Sequence, residues 1–179
     1  MMMDEDQLGA FLDAARTELF RMEVLPAYDV GSDGSDFADY LAGRPGPDPE
    51  AKRQWTDQIR AEVARGMITR RVHIVESPLS DYLRYEMDWG YAYNAAAGEQ
   101  IRILDVSSRD LPDGIPDHDF WIRDGSAAVR MYYDGGCCFT AAEVLPPGDL
   151  AVYQRARAAA WAAAVPFEEY WPAGMRVIA

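Results

Sequence analysis

The chain predicts an α+β fold: one domain on a mixed, largely antiparallel sheet, with helices packed mainly on one side. Three observations lead there. Helical spacing and strand alternation take turns through the first half. From Phe120 onward, short alternating segments are separated only by turn signals. An alanine-rich helix then closes the domain.

Taken in order, "DEDQLGAFLDAARTELF" sets Leu8, Phe11, Leu12, Ala15 and Leu19 at helical spacing, with acids in the first turn. "FRMEVLPAY" follows as a strand, and the acidic, turn-rich "DVGSDGSD" leads to a short helix, "FADYLAG", ending at Gly43. "GRPGPDP" breaks the chain, so 30–50 is read as a flexible linker or lid inside a domain of residues 1–166. "EAKRQWTDQIRAEVARGM" steps Trp55, Ile59, Val63 and Met67 four apart, a helix with one buried stripe. "RRVHIVE" alternates, with Val72 and Ile74 on one face and Arg71, His73 and Val75 on the other. "SPLSDYLRYEMDWGYAYN" reads as a helix with Ser77 as N-cap and Pro78 in the first turn; Gly98 stops it before the strand "IRILDV". "DFWIRD", "AAVRMYY" and "CCFTAAEVL" form an antiparallel meander across "GS" and "DGG". "PGDLAVYQRARAAAWAAAV" is the closing helix, and residues 167–179 are left as an aromatic, irregular C-terminal tail.

Bulk properties narrow the function. At 179 residues the chain can bury a sizeable core, and 49 % hydrophobic content fits a folded domain. A net charge of -13 disfavours contact with nucleic acid or anionic membrane, which need a positive footprint. With no signal-like segment and no apolar run near ~20 residues, a cytoplasmic protein is expected. Lys52 is the sole lysine beside sixteen arginines, a bias that suggests GC-rich coding. Cys137 and Cys138 are adjacent and define no disulfide framework.

The helix 77–94 concentrates the candidate chemistry. At 3.6 residues per turn, Leu79, Tyr82, Leu83, Tyr85, Trp89, Gly90 and Tyr93 fall on one face, and Ser80, Asp81, Arg84, Asp88 and Tyr91 on the other. Glu86 stands alone among the aromatic residues. It belongs either to a structural ion pair or tyrosine hydroxyl network that fixes the helix on the sheet, or to a pocket wall as a carboxyl of raised pKa. Alternating strand positions supply Arg71, His73, Arg102, Asp119, Arg123 and Arg130. They form either an arginine-rich face for an anion or the polar side of a half-solvated sheet. With Tyr82, Trp89, Tyr93, Asn94 and Trp121, the residues Arg71, His73, Arg102 and Arg130 make up the ligand-binding candidates. Glu86, His118 and Asp119 are the catalytic ones. No metal site is expected, because HxxxH, HxH and CxxC spacings are absent. The phospholipase D signature His-x-Lys-x4-Asp would need lysine at 120, where Phe120 stands. Walker A, GxGxxG and GxSxG patterns are absent too, and no cofactor is implied.

"PLSDYLRYE", "N…AGE…IRILD", "LPDGIPDHDFWIRD", "RMYYDGG" and "YQRARAAAWAAAVP" together resemble an actinobacterial family of domains of unknown function encoded beside WhiJ-like helix-turn-helix regulators. The resemblance runs from the first helix to Pro166. Its characteristic positions here are Pro78, Ser80, Asp81, Tyr82, Leu83, Arg84, Glu86, Asn94, Gly98, Glu99, Arg102, Asp117, His118, Asp119 and Trp121. The chain departs from the pattern at "GGCC" and in the tail. The resemblance implies a non-catalytic accessory or effector protein of a regulatory system, in contact with a helix-turn-helix regulator. The acidic surface would favour such a pairing. The alternative is a small enzyme or nucleotide- or anion-binding effector, with Glu86, His118, Asp119 and arginines around one small anionic ligand. A metal-dependent hydrolase is a third class.

Overall fold

The computed structural model describes residues 1–29, 31 and 34–172. Its elements are β1 (Met2–Met3), α1 (Glu5–Asp13), β2 (Glu18–Glu23), α2 (Asp36–Leu41), α3 (Pro49–Ala64), β3 (Ile68–Val75), α4 (Asp81–Tyr85), a π-helical segment (Glu86–Tyr91), α5 (Ala92–Ala97), β4 (Gln100–Asp105), β5 (Phe120–Arg123), β6 (Ala127–Tyr133), β7 (Phe139–Val144), α6 (Leu150–Ala163), β8 (Val165–Pro166) and α7 (Phe167–Tyr170).

The fold is α+β. One eight-stranded sheet runs β1-β7-β6-β5-β2-β3-β4-β8. The three strands β2, β3 and β4 are parallel, and every other pairing is antiparallel. The β5–β6–β7 meander matches the turn signals in the sequence.

Strand alternation gives the sheet two different faces. Phe20, Met22, Val72, Leu104, Phe120 and Ile122 point to the side covered by α6, through its Tyr153, Ala156 and Ala160. On the other side Val75, Ile101 and Ile103 meet Leu83, Met87 and Tyr91 of the central helix, and Val129 and Met131 meet Leu8 of α1. Most helices therefore lie on one face, with α6 across the other. The alternation read in "RRVHIVE" holds, although neither side is half-solvated: Val72 and His73 are both fully buried.

Local chemistry moves several boundaries. Asp4 and Gln7 form a capping box at the start of α1. That helix ends at Asp13, and Leu19 belongs to β2, contrary to the helix expected through 20. The cause is Asp124, whose carboxylate takes the backbone N–H groups of Arg16, Thr17 and Glu18 and draws the chain into the sheet. Ser80, and not Ser77, caps the central helix, its hydroxyl accepting from Leu83 N at 3.0 Å; Ser77–Pro78 is a cis peptide outside the helix. Gly98 ends it at φ 116°, as expected of a left-handed stop.

Two other expectations change. Only Ile59 and Met67 of the α3 stripe are buried, while Trp55 is 48 % exposed. Within the 30–50 stretch, α2 packs Phe37 and Tyr40 against Tyr82 and Tyr85. Val30, Ser32 and Asp33 of that stretch lie outside the described residues. The domain boundary drawn at 166 also moves. Phe167 is 1 % exposed in the core beside Tyr91, Tyr170 bonds Asp105, and Trp171 bonds Asp88. The remainder of the expected tail, 173–179, lies outside the described residues.

Candidate functional site

The densest polar construction sits on the floor beneath α3 and the α4–α5 helix. Leu19, Arg21 and Glu23 alternate onto this face of β2, as Arg71 and His73 do on β3, and parallel pairing sets Arg21 beside Arg71 and Glu23 beside His73. Arg71 is the hub. Its Nη1 donates to Glu23 Oε2 at 2.7 Å and its Nε to Glu99 Oε1 at 2.9 Å, all three side chains being almost sealed from solvent. Arg21 Nη2 reaches the other oxygen of Glu23 at 2.9 Å. Charges so deep are tolerable only when paired and hydrogen-bonded. Burial pushes the Glu23 carboxyl up, but the Arg21 and Arg71 charges outweigh it and hold it at about 2.

The proton count around His73 is informative. Its Nε2 faces the Leu25 carbonyl at 2.9 Å, which can only accept, so Nε2 carries a proton. Burial depresses the imidazole pKa and keeps the ring neutral, leaving Nδ1 as an acceptor. Tyr91 OH lies 2.6 Å from Nδ1 and 2.9 Å from Glu23 Oε2, so one hydroxyl proton is shared between a histidine and a carboxylate.

Above this floor opens a cleft of about 550 Å³. Its lining includes Arg21, Glu23 and Arg71 below, Lys52, Trp55 and Gln58 from α3, and Tyr82, Glu86, Gly90 and Asn94 from the central helix. Those last four residues are spaced four apart. In a regular α-helix such a row turns through about 120° from first to last. Here the wider π-helical turn of Glu86–Tyr91 takes up that drift and keeps the row along one wall. The same re-registration brings Leu83, Met87 and Tyr91 down onto the sheet and sends Tyr93 to the surface, 40 % exposed. This reverses the expected places of Tyr91 and Tyr93. Asp88, expected on a polar outer face, is instead buried under Tyr40 OH and Trp171 Nε1.

Asn94 ties the walls together. Its Oδ1 accepts from Trp55 Nε1 at 3.0 Å and its Nδ2 donates to Glu99 Oε2 at 2.9 Å. Arg21 lies between the Tyr28 and Trp121 rings, 5.6 and 5.1 Å from their centroids. Among the described residues its buried Nε has no hydrogen-bond partner.

Of the candidates read from sequence, the structure brings Arg71, Tyr82, Glu86 and Asn94 to the cleft. The rest lie elsewhere. His73 is sealed beneath it, Trp89 packs on Tyr40 and Tyr85, and Trp121 supports Arg21 from the floor. Arg102 is on the α6 side, where its Nη1 donates to the Trp161 and Ala164 carbonyls at the end of that helix. Arg130 stacks on Tyr132 across from Phe120, also on the α6 side. The arginines therefore do not converge. Neither do the catalytic candidates. His118 bonds Tyr153 of α6 at 3.0 Å. Asp119 is buried on the opposite face, where it accepts from Val24 N, Tyr28 OH and Tyr133 OH. Burial raises the Asp119 pKa. Glu86, His118 and Asp119 thus form no common pocket.

Sequence reading missed Arg21, Glu23, Asp36, Lys52, Trp55 and Glu99. The first two had a signal, the alternation Leu19–Arg21–Glu23 within a strand. Glu99 stood only among the characteristic positions of the resemblance, with no role attached, because only the fold carries it beneath Arg71. Among the described residues no group of three or more His, Cys, Asp or Glu is arranged to hold a metal. No described helix is long and apolar enough to cross a membrane.

Comparison with solved structures finds similarity to Nuc from Salmonella typhimurium, described as a phospholipase D family member. The TM-score is 0.51 at 12 % identity, covering 92 % of this chain and 93 % of that one. At that identity the likeness concerns the fold. Phe120, at the position where the signature would need lysine, is wholly buried under α6. Among curated proteins no relative matches. Residues 6–172 match one family across nearly the whole chain, and the chain belongs to that family, the domain of unknown function DUF6879.

Proposed function

We propose that this chain is a non-catalytic accessory protein of a bacterial regulatory system, acting in the cytoplasm through contact with a basic helix-turn-helix regulator. The observation that carries the non-catalytic part is the separation of Glu86 from His118. The two groups best suited to acid–base work lie on opposite sides of the sheet, so they cannot reach one reacting atom. Glu23, the buried carboxylate between them in depth, is held ionised by two arginines and is no proton donor near neutrality.

The partner rests on two supports. One is the sequence resemblance to actinobacterial chains encoded beside WhiJ-like regulators. The other is the net charge of -13, which speeds encounter with a basic partner and repels nucleic acid. Co-purification with the regulator encoded next to it tests the proposal. Capture at low ionic strength that weakens steeply with added salt is the expected result. Absence of binding at low ionic strength refutes it.

A further inference from the structure

We infer that a second cavity, where α2, the start of the central helix and α7 meet, is a binding site for a small aromatic carboxylate. The inference stands on this cavity alone and does not depend on the regulator.

The walls select an apolar body. The cavity holds about 380 Å³, at the lower end of the range for small-molecule pockets. Tyr40 of α2, Tyr170 of α7 and the following Trp171 supply its aromatic surface, and Pro78 and Leu79 its aliphatic part. The polar tips of the three rings are spent elsewhere. Tyr40 OH and Trp171 Nε1 each donate to one oxygen of the buried Asp88, both at 2.9 Å. Tyr170 OH donates to Asp105 Oδ2 at 2.8 Å. Two carboxylates thus anchor three rings, which leaves carbon surface for a ligand in walls already set in place.

The charge at the wall selects the other end. Arg84 is the charged residue of the lining, and it stands exposed on α4. Among the described residues its guanidinium has no hydrogen-bond or ion-pair partner. Its charge reaches the Tyr40 hydroxyl, so it lies close to the aromatic wall. A guanidinium fork beside a set of rings suits a carboxylate carried on an aromatic body. A box of three rings could otherwise take a quaternary ammonium group, but Arg84 opposes that charge. Asp88 does not offset Arg84 there, because both of its oxygens are already occupied. The small anionic ligand expected from sequence is thereby moved. Its cation is Arg84, read from sequence only as part of a polar helix face, and not the strand arginines.

The test is calorimetric titration of the full chain with benzoate, phenylacetate and indole-3-acetate, each beside its neutral amide. Acetate and phenyltrimethylammonium serve as controls that lack the ring or reverse the charge. At least one aryl carboxylate should bind with Kd below about 1 mM, and its amide about fivefold more weakly, the contribution of one solvent-accessible ion pair. Acetate and phenyltrimethylammonium should bind more weakly than that acid. Arg84→Gln, at an exposed position, should weaken the acid to the level of its amide and leave the amide unchanged. Lys52→Ala, in the α3 cleft, should alter neither. Failure of all three aryl carboxylates to bind at millimolar concentration overturns the inference. So does equal affinity for acid and amide, or tighter binding of phenyltrimethylammonium. Loss of binding in Lys52→Ala with none in Arg84→Gln also overturns it, since the ligand would then occupy the other cleft.

Discussion

Replacing Arg71 by methionine should damage the protein more than almost any other single change on this face of the sheet. The side chain is 8 % exposed, and those of Glu23 and Glu99 are 2 % exposed each. Methionine fills similar volume but leaves two buried carboxylates without their shared cation. Breaking a buried pair in this way costs about 3–5 kcal/mol. The lower end applies if Arg21, 2.9 Å from Glu23, still compensates one of them. Domain stabilities are about 5–15 kcal/mol, so the loss is a large fraction, and for a chain of this size it corresponds to a fall of roughly 6–20 °C in Tm. Urea unfolding followed by far-UV circular dichroism measures it. The triple replacement Arg71→Met, Glu23→Gln, Glu99→Gln removes the charges together and should recover at least half of the loss, because no ion is left unpaired. A single-variant cost under ~1 kcal/mol would refute the reasoning, and so would a triple variant no better than the single one.

The remaining expectations are smaller. Glu23 has its folded pKa depressed from 4.5 to about 2, so its contribution is present above the unfolded value and lost as pH falls through that window. Unfolding free energy should drop by roughly 3 kcal/mol across it, and in Arg71→Met the drop should be smaller, because the folded pKa moves back toward the unfolded one; a pH-independent difference between the two proteins counts against this assignment. Asp124→Ala removes the acceptor for three backbone N–H groups and should cost about 1–2 kcal/mol, as loss of a helix cap does, read as a shift of the urea midpoint. The Cys138 thiol donates to Asp29, and that hydrogen bond pushes its pKa up to about 11. In a Cys137→Ser background it should therefore react slowly with iodoacetamide at neutral pH, and Asp29→Asn should speed the reaction.

Much of the framework was legible because it rests on local rules. Gly98 marked a helix stop, "GS" and "DGG" marked the meander, and alternation in "RRVHIVE" divided β3 between two faces. What was hidden depends on residues distant in sequence. The end of α1 is decided by Asp124, more than a hundred residues away in the chain. Trp55 looked like core because its spacing is helical, yet its ring stands over the cleft, held by Asn94. Glu86 was singled out as a carboxylate on an aromatic face, and the structure sets it on the cleft wall with Tyr82, while Tyr85 and Trp89 turn to α2. The companions expected for it were wrong, since residues adjacent in sequence, His118 and Asp119, point to opposite sides of a strand region. Alternation alone could have shown that those two do not share a pocket.

The central helix explains why the site was only half visible. Its burial follows a step of four: Leu83–Met87–Tyr91 meets the sheet, Tyr85–Trp89 meets α2, and Tyr82–Glu86–Gly90–Asn94 lines the cleft. A 3.6-residue reading assigns the first turns correctly and then slips, because rows of four drift by about 40° per step in α geometry. The slip exchanged Tyr91 with Tyr93 and placed Asp88 outside. The π-helical turn abolishes the drift at the point where Glu86 and Gly90 stand together. π-Turns are rare and concentrate at functional sites, because a widened turn is tolerated only where something is gained from it. Here the gain is geometric: one helix supplies a hydroxyl donor to the buried Glu23–Arg71 floor, through Tyr91, and a straight wall facing α3. Straightening that segment into regular α-helix would have to give up either the floor contact or the alignment of Glu86 with Asn94. The π-turn therefore couples the buried ion network to the open cleft.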